Sequence, residues 1–142
     1  MCIRTFLLVA VLAPLASSVI ASQAELTERD AVRLVRHLPE FRKFQQFARK
    51  HHSAIDVSDN ELVTDASRLE PFGLHVPAWR ISVTHSVTDD PATGDGHYSK
   101  WNEFLVDAHK GSILVLWRVG DPFRYIPLHE WREKMREFDK KT

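Results

Sequence analysis

WNEFLVDAHKGSILVLWRV, residues 101–119, reads as two strands joined by a tight turn. Side chains alternate along an extended chain, so Phe104, Val106 and Ala108 share one face of the first strand. Trp101, Glu103, Leu105 and Asp107 take the other. Asp107 suits the start of a type I turn, and Gly111 accepts the positive φ that closes a short hairpin with a bulge. The run from Ile113 to Trp117 is apolar on both faces, as in a strand covered on both sides. A buried helix is the rival reading. The run is short, partly β-branched and follows a glycine, which favours the strand.

Upstream, residues 79–88 alternate strictly: Trp79, Ile81, Val83, His85 and Val87 on one face, Arg80, Ser82, Thr84, Ser86 and Thr88 on the other. Residues 89–96, DDPATGDG, read as a turn-rich loop leading to a strand that begins near Tyr98. The expected sheet is therefore a three-stranded antiparallel meander. Before it, Thr27 and Asp30 form a variant capping box ahead of Ala31, Leu34, Val35 and Leu38 at helical spacing. Pro39 ends or kinks that helix and suits the start of a second, striped by Phe41, Phe44, Phe47 and Ala48. Residues 53–77 carry the weakest signal; Ile55 and Val57 suggest a short strand, and Phe72, Leu74 and Val76 are expected to pack on the sheet. After Gly120, Asp121 and Pro122 end the sheet, Pro127 opens an amphipathic helix with Leu128, Trp131, Met135 and Phe138 on its apolar side. The expected fold class is α+β: an N-terminal helix or helix pair on the meander, and the C-terminal helix on the other face, over Leu105, Leu114 and Leu116.

The 142 residues leave room for one domain, and 44% hydrophobic with 27% charged residues is ordinary for a globular chain. A formal net charge of +0 gives no bulk attraction for nucleic acid or anionic membrane. Arg4 followed by apolar residues 6–15 and small residues 16–24 reads as a signal peptide. Cleavage fits after Ala21, or as late as Ala24, leaving residues 22–142 as the domain. The apolar core is shorter than the ~20 residues of a membrane span; an uncleaved anchor is the alternative. Cys2 would leave with the leader, so the exported chain has no thiol for disulfides, catalysis or metal ligation. No stable membrane insertion is expected after cleavage.

Searches for chemistry return little. No G-x-S-x-G, HExxH, H-x-x-x-H or phosphate-binding glycine loop occurs, and no catalytic residue, metal or cofactor is expected. The DDPATGDG loop lacks the EF-hand order, with Pro91 and Lys100 at ligand positions. The basic run Arg33 to His52 reads as a solvated helix face, with an anion or membrane-surface patch as the alternative. His85 on an apolar strand face is the candidate for a ligand pocket between helix and sheet, and His97 is placed to approach it across the strands. As an exposed hairpin tip, Asp89, Asp90, Asp95 and His97 are the candidate partner contacts, together with Trp101 near the hairpin mouth. Substituting Trp101, or deleting residues 90–96, is expected to weaken partner capture and leave thermal unfolding nearly unchanged.

Leu105-Val106-Asp107-Ala108-His109-Lys110-Gly111, followed by Ser112-Ile113-Leu114, resembles the strand, V-D-A-x-T-G-like turn and apolar strand of the PepSY-type module of exported bacterial proteins. The resemblance runs from Leu26 to Trp117. Lys110 stands where that family has a small polar residue, and the helix after Pro127 is an addition. It implies a non-enzymatic envelope domain that binds or restrains a protein partner such as a peptidase. The other reading is a small-ligand-binding α+β domain. A third, an envelope enzyme, requires two titratable groups in one cleft.

Overall fold

The computed structural model describes residues 25–74, 77–90, 92–120 and 123–140. The leader, Cys2 and Val76 lie outside the described residues. The chain is an α+β fold of four α-helices and a six-stranded antiparallel sheet among the described residues.

Helix α1 (Glu28–His37) starts at the capping box: Thr27 Oγ1 accepts from Asp30 N, and Thr27 N donates to the Asp30 carboxylate. Leu38 is extended, as a residue before proline prefers, and Pro39 opens α2 (Pro39–Lys50). Short strands β1 (Ile55–Asp56) and β2 (Asn60–Val63) follow, then α3 (Ala66–Leu69), a 3₁₀ turn over Glu70–Phe72, β3 (Ala78–Asp90), β4 (Asp95–Asp107), β5 (Ile113–Trp117), β6 (Arg124–Pro127) and α4 (Leu128–Asp139). The sheet order is β1, β3, β4, β5, β6, with β2 also on the outer edge of β3. The expected meander is present as β3, β4 and β5. The short strand suggested at Ile55 is present as β1, while β2 and β6, which also extend the sheet, are too short for periodicity to reveal.

The turn after β4 forms as its residues require. Asp107 Oδ1 accepts from His109 N and Lys110 N, both at 2.8 Å, and Gly111 adopts φ +68°. The chain entry is pinned beside it: Leu26 N donates to Ala108 O, and Trp79 Nε1 donates to Leu26 O at 2.7 Å.

The two faces of the sheet are both covered. Ile81, Val83, Phe104, Val106, Val115 and Ile126 meet Ala31, Val35, Phe41 and Phe44 of the helix pair. On the other face, Ala78 and Leu105 pack with Val63, Leu69 and Leu74, with Phe72, Leu114 and Tyr125 against them. This explains the double-sided apolar run of β5: Val115 faces the helices and Leu114 faces the α3 segment.

The cover of that second face differs from expectation. Helix α4 does not lie over Leu105, Leu114 and Leu116. Trp131 joins the core of α1 and α2, and Arg132 Nε and Nη2 donate to the two Glu40 oxygens at 2.7 and 3.1 Å. Strand β6 is the reason. It adds an edge strand before α4, so Pro127 hands the chain to the helix-bearing side, and the short α3 segment takes the other.

The hairpin tip also differs. The ladder of β3 and β4 continues to Asp90 opposite Asp95, so Asp89, Asp90, Asp95 and Gly96 belong to a two-stranded ribbon and residues 92–94 form the turn. Gly96 allows this: a Cβ there would stand 2.3 Å from the Val87 carbonyl oxygen. Gly96→Ala is therefore expected to open the end of the ribbon. Amide exchange over residues 87–97 should rise about tenfold or more while core amides keep their protection. Unchanged exchange there would count against the close approach.

Candidate functional site

One irregularity in β4 builds two different surfaces. Asn102 pairs with Val83 and Lys100 pairs with Thr84, so Trp101 has no partner on β3. This is a β-bulge, which adds a residue and shifts the alternation beyond it. The amide of Glu103 is taken up by the Asn102 side chain at 2.8 Å. Strict alternation would place Trp101 with Glu103. The bulge instead turns the indole to the helix face and brings Lys100 to the same side as Glu103.

On the helix face, the Trp101 ring stacks on Phe44 with centroids 4.3 Å apart and planes 5° from parallel. Phe41 meets it edge-on at 6.0 Å. Trp101 is thus half-buried in an aromatic layer, a correction to its placement near an exposed hairpin mouth. It helps line a groove of ≈ 530 Å³ between α2 and α4, floored also by Phe44 and Trp131. Phe47, 50% exposed, and Met135 stand at its sides. Lys43 and Arg136 stand on its rim with Asp139, and none of these three has an ion-pair partner among the described residues. Arg132 is already held by Glu40, whose carboxyl that bond keeps below the ordinary glutamate range.

On the opposite face, an open cleft of ≈ 560 Å³ lies between the sheet and the α3 segment. Its floor is Val63, Leu69, Phe72 and Leu105; its wall is Glu61, Arg68, Arg80, Glu103 and Tyr125. Glu103 is only 7% exposed. Lys100 Nζ donates to it at 2.6 Å, the Tyr125 hydroxyl donates to its other oxygen, and Arg80 Nη1 stands at 3.5 Å. Burial alone would raise the Glu103 pKa; those three partners outweigh it and hold the carboxyl below the usual value. Burial, then the bond to Glu103, pushes the Tyr125 phenol well up, so it remains a hydroxyl donor. Glu61 binds Arg68 at 2.9 Å and Arg80 Nε at 3.1 Å, and the Arg68 bond leads in lowering its pKa.

The residues singled out from sequence separate. His85 presses edge-on against Phe44 at 5.3 Å, with Nδ1 buried and without a hydrogen-bond partner among the described residues. His97 lies further along the ribbon opposite Val87, its Nδ1 2.8 Å from Asp89 Oδ2. Asp90 Oδ1 accepts from Ala92 N, and Asp95 Oδ2 accepts from Thr93 Oγ1, so both serve the turn. All four tip residues are exposed. Among the described residues, no group of three or more His, Cys, Asp or Glu side chains is placed to hold a metal ion. Nor is any helix among them long and apolar enough to cross a membrane. The Glu103–Tyr125–Arg80 cluster was missed from sequence, because its members come from three strands and Lys100 reaches it only through the bulge. The one available signal was a glutamate directly before the apolar run Phe104 to Val106.

Comparison with protein-family models, with curated proteins and with solved structures finds no match in any of the three.

Proposed function

We propose that the chain is an exported, non-enzymatic protein-binding module of the bacterial envelope, similar to the PepSY type, and that the groove between α2 and α4 receives its partner. The observation that carries this reading is the groove's aromatic lining, in which Phe47 is half-exposed and Trp101 half-buried, with the buried rings of Phe44 and Trp131 completing it. Apolar rings in a groove with a charged rim are the usual anchors of protein recognition. The rim chemistry narrows the occupant. Lys43 and Arg136 outnumber Asp139, and α2 also exposes Arg42, Arg49 and Lys50. The fitting partner is an apolar segment of another protein flanked by acidic side chains.

The test is capture from the envelope fraction of the source, with wild type and three variants in parallel. Phe47→Asp should reduce capture of one stoichiometric partner about tenfold or more, while thermal unfolding stays within about 1 kcal/mol of wild type. Lys43→Glu should weaken capture and its salt dependence. Deleting residues 90–96 should leave capture unchanged if the groove alone is used. Equal capture by Phe47→Asp would remove the groove, and loss with the tip deletion alone would move the contact to Asp89, Asp90, Asp95 and His97.

The second reading, a small ligand between helix and sheet, is favoured by the buried, unpartnered Nδ1 of His85 beside Phe44. A small ligand bound there would shift the His85 ring nitrogen signals with no protein partner present, and the absence of any shift across a small-molecule screen would count against this reading.

A further inference from the structure

The cleft on the opposite sheet face has the features of a second binding site, independent of the groove. Its volume, ≈ 560 Å³, lies in the range of small-molecule pockets, about 300–1,000 Å³. Its charges are already matched within the protein: Glu61 by Arg68 and Arg80, Glu103 by Lys100 and Arg80. A charged ligand would have to separate one of these pairs or face a like charge. Yet hydrogen-bonding capacity remains. Arg80 makes one hydrogen bond among the described residues, from Nε. Its two terminal nitrogens stand only at ion-pair distance, 3.5 Å from Glu103 and 3.9 Å from Asp59, and the side chain is one quarter exposed. The carboxylates keep acceptor lone pairs. Fixed donors and acceptors therefore sit side by side on one wall. The floor is apolar, and its Phe72 ring meets the Tyr125 ring of the wall edge-on, 4.7 Å apart at 74°.

A hydroxyl is the group that meets such a wall, because it accepts from a guanidinium and donates to a carboxylate at once. Several hydroxyls on a ring, with a C–H face against Phe72, use the wall and the floor together. We infer that this cleft binds a neutral polyhydroxylated ring, a sugar unit, by its hydroxyls on Arg80, Glu61 and Glu103 and its C–H face on Phe72.

The experiment is a titration of the isotope-labelled protein with glucose, galactose and N-acetylglucosamine, followed by amide spectra, with glucuronate and glucosamine as charged counterparts. The expected result is saturable millimolar binding of at least one neutral sugar, with shifts confined to residues 61–72, 80, 103–105 and 125. The charged counterpart should bind about tenfold more weakly, the scale of one lost charge-assisted hydrogen bond. Glu61→Gln removes one acceptor from a partly exposed side chain and should weaken binding about fivefold or more. Phe72→Ala, read the same way, covers the case in which Glu61→Gln disturbs the cleft. Phe47→Asp, in the groove, should leave the titration unchanged. No saturable shift with any of the three neutral sugars would overturn the inference. So would tighter binding of glucuronate or glucosamine, or shifts at α2 and α4 instead.

Discussion

Trp101→Ala is expected to destabilise the protein by about 3 kcal/mol, in the range for deleting a large aromatic side chain from a packed site. The ring stacks on Phe44, meets Phe41 edge-on and lies 6.0 Å from Phe104, so its loss opens a cavity among three aromatic neighbours. Its half-exposure keeps the cost below that of a fully buried tryptophan. Trp101→Phe, which retains the stack, should cost about 1 kcal/mol. Denaturant unfolding of both variants decides the matter. A Trp101→Ala protein as stable as wild type would count against this packing and return the indole to the partner contact expected from its position near the hairpin mouth. Because the variant loses stability, it is a poor probe of partner capture, and Phe47→Asp replaces it.

Glu103→Ala should cost about 3 kcal/mol, near the lower end for breaking a buried ion pair, since Lys100 is 36% exposed and Arg80 keeps Glu61. For a chain of this size that corresponds to a fall in Tm of about 10 °C. Tyr125→Phe should cost less, about 1–2 kcal/mol, because it removes one hydrogen bond to a carboxylate that keeps its cations. The same cluster gives stability an acid limb. The Glu103 pKa is lower in the folded chain than its ordinary value of 4.5, so its contribution is complete above pH 4.5 and is lost as pH falls through the depressed folded value. Glu40, lowered by its bond to Arg132, acts in the same direction. Thermal unfolding followed downward from pH 6 should show a steeper loss for wild type than for Glu103→Gln, which has no carboxyl to protonate. Parallel curves for the two would mean that Glu103 pays no part in acid sensitivity.

Much of the frame was legible in the residues. The capping box at Thr27, the break at Leu38–Pro39, the strict alternation of residues 79–88 and the Asp107–Gly111 turn all act over a few residues, and each formed where its side chains required. The α+β class followed from them. The candidate sites were less legible. His85 and Trp101 were singled out as separate features, one in a pocket and one on a partner surface. In the fold both touch the same ring, Phe44. The tip residues Asp89, Asp90 and Asp95 remain exposed but hold the turn and the His97 ring as well.

The sequence by itself determined what local stereochemistry controls: where helices start, where strands alternate, and where the chain turns. Only the tertiary structure decided which face each side chain serves and what it meets there. The bulge at Trp101 is the clearest instance, since one unpaired residue shifts alternation and sends the indole to the helices and Lys100 to Glu103. The side taken by α4 is another, set by the β6 pairing and the Glu40–Arg132 bridge between residues far apart in the chain. Both depend on long-range pairing, whose register no short window of residues contains.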